Sequence, residues 1–261
     1  MANNLFLHKN KYAQILKNLK NDSILALASG DSYGSFYEVK GLYGERFSIN
    51  SLPEIPKYPN ITDDTKMAII LLKHYKKYKT LEVDILTKEY KVWAKIDGDK
   101  DGIGLHTRDV LVYNKQDKDS QGNGALMRNI PFGIELIKDG YSFDETVEMM
   151  NIDSAITHKN STIFMANTLA LDLAINGLKV LEKDSYQALL AKLHYGYSAW
   201  VIHSLHIVID ALKRKRKFLT GFKYIASQGG DTDTNCAIYG AILGAKKDIK
   251  DELDIDSWIY I

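Results

Sequence analysis

TDDTKMAIILLKHYKKY, residues 62–78, sets the reading of the fold. From Asp63 onward its apolar residues recur at i, i+3 and i+4, the period of one helical face. Thr62 stands at the N-cap position, and Asp63 and Asp64 place two carboxylates against the positive end of the helix dipole. Taken alone, this is ordinary helix-start chemistry. Working outward, the same spacing predicts helices over 11–20, 63–78, 81–96, 143–156, 162–176, 183–194, 199–213 and 235–246. Sustained strict alternation is missing, and no Asn-Gly or Asp-Gly turn sits between two alternating runs. Of the four prolines, Pro53, Pro56 and Pro59 fall in one stretch, SLPEIPKYPN, which reads as an exposed loop. The expectation is an all-α fold, one domain over residues 1–261, with functional loops at helix ends.

Composition excludes several classes of function. The 261 residues carry 34 Lys+Arg against 33 Asp+Glu, a net charge of +1, which speaks against a nucleic-acid binder held by bulk charge. A single cysteine, Cys236, cannot form an internal disulfide, so a cytoplasmic setting is the default expectation. The N-terminal MANNLFLHKNKYAQILKNLK is lysine-rich without the apolar core of a signal peptide. The longest apolar runs fall far short of the roughly 20 residues that a membrane span requires.

Two polar, glycine-rich stretches interrupt the helical pattern, IDGDKDGIGLHTRD (96–109) and NKQDKDSQGNGALMRN (114–129). Backbone N–H groups around Gly102, Gly104, Gly122 and Gly124 could cradle a diphosphate, or the stretches could be solvated turns. A second acidic helix start, Gly229-Gly230-Asp231-Thr232-Asp233-Thr234, feeds the apolar CAIYGAILGA, in which Gly240 and Gly244 would let another helix approach closely. Gly-Asp-Ser-Tyr-Gly-Ser-Phe-Tyr-Glu (30–38) offers Asp31 and Glu38 on what its glycines suggest is a further loop.

If these ends converge, the site is all oxygen, carboxylates with threonine hydroxyls. Such donors suit hard cations such as Mg²⁺ or Mn²⁺ rather than Zn²⁺. Carboxylates at close quarters repel one another unless cations sit among them, and the ligand count suggests two ions.

Other signals carry less. Asp231-Thr232-Asp233-Thr234 only superficially matches the DxDxT loop of haloacid-dehalogenase phosphatases, and that chemistry needs a preceding buried strand in an α/β domain. His203 and His206, at i and i+3, read as core or interface histidines. Lys213-Arg214-Lys215-Arg216-Lys217 reads as a solvated helix C-terminus that could touch a polyanion. Cys236 reads as a packed thiol, and Trp93, Trp200 and Trp258 as packing residues.

In order along the chain, GDSYGSFYE, TDDTKMA, SQGNGALMR, Thr157-His158 and GGDTDT resemble the ADP-ribosylglycohydrolase family, which includes the dinitrogenase-reductase-activating enzyme. The GSFYE form is most similar to the branch that removes ADP-ribose from serine and degrades poly(ADP-ribose). The resemblance implies an orthogonal helical bundle with a binuclear magnesium or manganese centre at loops and helix N-termini. It implies metal ligands Thr62, Asp63, Asp64, Asp231, Asp233 and Thr234, with Glu38 as a mobile acid near the ions. Glu38 is the first choice as acid/base residue, with Asp231 or Asp233 as alternatives. Gly104, Ser120, Gln121, Gly122 and Asn123 are implied to hold the diphosphate and ribose, and His158 the distal ribose.

The implied substrate is ADP-ribose on a protein side chain, in a polymer or as an O-acetyl ester. An arginine-type hydrolase or a non-catalytic ADP-ribose-binding member are the alternatives. Gln121 stands where serine-type relatives carry an aromatic residue, and Asp119 where a glycine is usual.

Overall fold

A computed structural model describes residues 21–54, 60–192, 198–214 and 217–254. Eleven α-helices order these residues: α1 (Asp22–Leu42), α2 (Asp63–Tyr78), α3 (Val83–Ile96), α4 (Leu105–Leu111), α5 (Leu126–Lys138), α6 (Phe143–Thr157), α7 (Ser161–Asn176), α8 (Asp184–Leu190), α9 (Val201–Arg214), α10 (Phe218–Gln228) and α11 (Thr232–Gly244). Among the described residues the extended pairing is a single antiparallel bridge between Gly122 and Trp200. No helix there is long and apolar enough to cross a membrane.

The bundle is built around α11. A surface helix is apolar on one stripe, whereas α11 is buried on every side apart from Leu243. It packs most extensively on α1, and α2, α5, α7, α9 and α10 surround the pair. Glycines set the α1–α11 distance. A Cβ at Gly30 would overlap the carbonyl of Cys236, one at Gly34 the carbonyl of Thr232, and one at Gly240 the carbonyl of Ala26. Backbone cannot move aside as a flexible side chain can, so these three positions admit little but glycine. Ser23 closes the contact by donating from its hydroxyl to the carbonyl of Ala241 (2.8 Å).

The periodicity locates α2 at its observed bounds, and α3, α6, α7, α9 and α11 within three residues of theirs. The predicted 183–194 helix ends short, α8 stopping at Leu190, and the 11–20 helix, residues 193–194, Pro56, Pro59, Lys215, Arg216 and Trp258 lie outside the described residues. Four helices were not expected: α1, α4, α5 and α10. The 30–38 stretch, predicted as a loop from its glycines, is the middle of α1, because there glycine serves close packing instead of a turn. The glycine-rich 96–109 and 114–129 stretches run into helices α4 and α5. α5 tolerates Pro131, which forfeits one intrahelical bond while its carbonyl accepts from Asn21 Nδ2 (3.1 Å). α10 follows directly on the basic run that ends α9.

The minor signals resolve as packing. Cys236 is buried, with its thiol against the Phe222 carbonyl (3.7 Å), and burial pushes that thiol well up. His203 and His206 bond different carbonyls, those of Ser198 (3.1 Å) and Leu190 (2.9 Å). Trp93 donates to Asp101 (3.0 Å).

Gly240→Ala forces a methyl into the backbone of α1, and we expect it to destabilise the protein by about 1–3 kcal/mol. Equilibrium urea denaturation checks this. An unshifted midpoint would mean that α1 and α11 do not meet so closely.

Candidate active site

The α1–α11 contact determines where the acids meet. Asp31, Gly34 and Glu38 lie at i, i+3 and i+7 of α1, on one face. Gly34 lets the first turn of α11 settle between the two carboxylates, and Thr232 pins it there by donating to the Gly34 carbonyl (2.8 Å). Asp231 is the N-cap of α11, and Asp233 lies in its first turn. The start of α2 arrives from the other side with Asp63 and Asp64 in its first turn.

Asp31 ties α2 to α1. Its buried carboxylate accepts from the Thr62 amide (2.9 Å) and hydroxyl (2.8 Å) and from the Thr65 amide (3.2 Å) and hydroxyl (2.5 Å). Thr62 occupies the N-cap position without capping; its hydroxyl faces Asp31 (2.8 Å) and Asp64 (3.2 Å), to either of which it can donate. Thr234 also donates to Asp64 Oδ2 (3.2 Å). Asp64 Oδ1 is buried with no hydrogen-bond partner.

Two acidic triads result, Asp31 with Asp64 and Asp233, and Glu38 with Asp231 and Asp233. In each, one oxygen per residue lies within 4.8 Å of the others, and Asp233 belongs to both. Burial raises the carboxyls of Asp63, Asp64 and Asp233 well above the ordinary range, and neighbouring carboxylates add to the effect. Burial likewise lifts Asp31 to about 6, against the hydrogen bonds from Thr65 and Thr62. Glu38 rises to about 7, by burial first and the charge of Asp231 second. An unpartnered buried oxygen among such acids is what a cation would satisfy, so these residues fit a hard-metal site.

The Glu38–Asp231–Asp233 triad opens on a cavity of about 440 Å³. Glu38, Asp63, Asp231, Asp233 and Thr234 form its acidic end, and Gly104, Gly122, Asn123, Met127 and His158 line the rest. His158 is buried, and burial holds its imidazole well below the usual range, hence neutral. Its ring presses on the loop: a Cβ at Gly122 would lie 3.2 Å from Nε2, and one at Gly124 3.1 Å from Cε1.

Beneath the loop, fully buried Arg128 donates to the Gly124 carbonyl (2.7 Å), to Asp153 (2.8 Å) and to the Thr157 hydroxyl (3.0 Å). That hydroxyl in turn bonds His158 Nδ1 (2.9 Å). One buried guanidinium thus fixes both the loop and the histidine.

The expected residues divide accordingly. Glu38, Asp63, Asp231, Asp233, Thr234, Gly104, Gly122, Asn123 and His158 line the cavity, while Thr62 and Asp64 lie behind its acidic end. Ser120 and Gln121 are not part of the lining. The Gln121 carboxamide oxygen accepts from Trp200 Nε1 (3.0 Å), and its carbonyl from the Val201 amide (2.9 Å). Gly104 N–H donates to Asp63 (3.3 Å). Asp119 is exposed, clear of the loop's inner face.

Sequence reasoning left Asp31 out of the ligand set and gave no role to Ser204, whose hydroxyl accepts from Asn123 (2.9 Å). Asp31 carried a signal, its i, i+7 spacing to Glu38, which the loop reading hid. Ser204 carried none.

Fold and site together define an all-α enzyme with carboxylates gathered at the buried end of a cleft. The model of the ADP-ribosylglycohydrolase family matches residues 20–251, and the chain belongs to that family of hydrolases acting on ADP-ribosyl linkages. It is 24% identical over 255 residues to the ADP-ribosyl-[dinitrogen reductase] glycohydrolase of Rhodospirillum rubrum, covering 88% of this chain and 85% of that one. It is also 24% identical over 283 residues to a protein of Acanthamoeba polyphaga mimivirus named as an ADP-ribosyl glycohydrolase, covering 86% and 85%. A solved ADP-ribosylglycohydrolase-related protein complex shares the fold, with a TM-score of 0.64 and 21% identity over 90% of this chain and 89% of that one.

The raised carboxyls set a pH dependence. A folded state that holds protons more tightly than the unfolded chain loses stability as pH rises through the folded-state values. From pH 7 to 8.5 Glu38, lifted to about 7, gives up the rest of its proton, while His158 stays neutral in the folded state. In EDTA we expect the melting temperature to fall across this window, and Mn²⁺ at pH 8.5 to reverse the fall. A flat profile unaffected by Mn²⁺ would contradict the assignment.

Proposed function

We propose that this chain is a hydrolase of the glycosidic bond between ADP-ribose and a serine-type acceptor, working with two divalent cations, Mg²⁺ or Mn²⁺. The observation that carries this reading is the pair of triads sharing Asp233 at one end of a cavity. Thr62, Asp63, Asp64, Asp231, Asp233 and Thr234 would hold the ions, and Asp31 joins this set. Bound there, the ions supply Lewis acidity toward ribose hydroxyls and water.

The remaining steps belong to the chain. Gly104, Gly122 and His158 receive the ADP-ribose at the far side of the cavity, and the Gln121–Trp200 contact holds the loop to α9 from outside. Bond breaking builds positive charge at the anomeric carbon, which the carboxylates at the acidic end stabilise. Glu38 takes a proton from the attacking water and returns one to the departing oxygen, a role suited to its place beside Asp231 and Asp233.

The serine acceptor rests on the Ser35-Phe36-Tyr37-Glu38 form of the motif. The name of the Rhodospirillum rubrum relative supports a protein-borne ADP-ribose. An arginine acceptor would use the same site with another leaving group.

Incubation with serine-linked, arginine-linked, polymeric and O-acetylated ADP-ribose, with and without EDTA, tests the reading. We expect metal-dependent release, fastest from the serine linkage. Release from none of the four would refute it. Asp64→Asn and Asp231→Asn should each lower turnover by roughly 100-fold or more while the helical circular dichroism stays unchanged. Retained turnover in saturating Mg²⁺ would remove these residues from the centre.

A further inference from the structure

Asn123 was expected to bind the diphosphate or ribose, yet its hydrogen bonds are committed elsewhere. Its backbone N–H donates to the Ala199 carbonyl (2.8 Å). Its carboxamide Nδ2 donates to Ser204 Oγ (2.9 Å) and to Asp231 Oδ2 (2.6 Å). An amide nitrogen carries two hydrogens, so both are used and no donor remains for an anionic diphosphate. The opposite amide orientation would set its carbonyl oxygen against the Asp231 carboxylate, so the neighbours fix the assignment. Asn123 is 4% exposed and Ser204 fully buried, so the bond between them is shielded from water.

The anchor is rigid on both sides. Ser204 sits one turn into α9, and the Gly122–Trp200 bridge ties the Asn123 loop to the segment that opens that helix. Asp231 precedes the first residue of α11, where the helix itself restrains its side chain least. The contact with Asn123 commits one carboxylate oxygen, Oδ2, and so fixes the plane of the group.

We propose that Asn123, held by Ser204, is a positioning residue that orients the Asp231 carboxylate in the Glu38–Asp231–Asp233 triad, and that it is not a diphosphate contact. The inference rests on the cation-binding reading of that triad. Outer partners of metal ligands typically govern affinity by roughly 10–100-fold, whereas a lost substrate contact leaves metal affinity alone.

The test measures Mn²⁺ affinity by electron paramagnetic resonance and ADP-ribose release kinetics for the wild type, Asn123→Ala and Ser204→Ala. We expect Asn123→Ala to weaken Mn²⁺ binding at least tenfold, with kcat falling in saturating Mn²⁺ and KM within threefold of the wild type. Ser204→Ala should shift Mn²⁺ affinity the same way by less. If Asn123→Ala does not fold, the Mn²⁺ affinity of Ser204→Ala decides. Mn²⁺ affinity within threefold of the wild type, with KM raised tenfold or more, would overturn the inference and restore a substrate contact. A wild type that binds no Mn²⁺ and releases no ADP-ribose would instead refute the proposed function itself.

Discussion

Everything in this structure depends on how closely α1 and α11 can approach. Gly30, Gly34 and Gly240 remove the side chains that would hold the two backbones apart, and the same approach packs the core and assembles the site. Because Gly34 shares a face with Asp31 and Glu38, the point of closest contact is also the point where α11 delivers Asp231 and Asp233. Packing and chemistry here are one arrangement, and a substitution that separates the helices would dissolve both.

That arrangement has an electrostatic cost. Asp31, Asp63, Asp64 and Asp233 are drawn out of water into one small volume, where burial favours protonation of all four and repulsion from neighbouring carboxylates adds to it at Asp63, Asp64 and Asp233. Two devices soften the conflict within the chain. Threonine hydroxyls and amides at the start of α2 surround Asp31, and the Asn123 carboxamide meets Asp231. Asp64 Oδ1 is left without either. The proposed cations would complete what these hydrogen bonds begin, and the near-neutral composition then misleads, since the positive charge facing a nucleotide-derived substrate would be borrowed.

Much of this was legible in the sequence, and the boundary of legibility has a physical cause. Helix α2 and the acids of its first turn were readable because periodicity and helix-start chemistry are local. Asp231 and Asp233 were readable for the same reason. Helix α1 was not, because Gly30, Asp31, Ser32, Gly34 and Ser35 have poor intrinsic helix propensity and only the contact with α11 rewards them. α5 was hidden by Pro131 and by the glycines that precede it. The proposed positioning role of Asn123 left no local mark because its partners, Ser204 and Asp231, lie 81 and 108 residues away. No local pattern reports contacts of that span.

The account stands on two acidic triads that share Asp233, which we propose together hold a pair of ions. Its most direct test is the number of Mn²⁺ ions bound per chain, by equilibrium dialysis, with spin coupling between them read by electron paramagnetic resonance. The account predicts two ions, close enough to couple. A single ion, or two that do not sense each other, would contradict it.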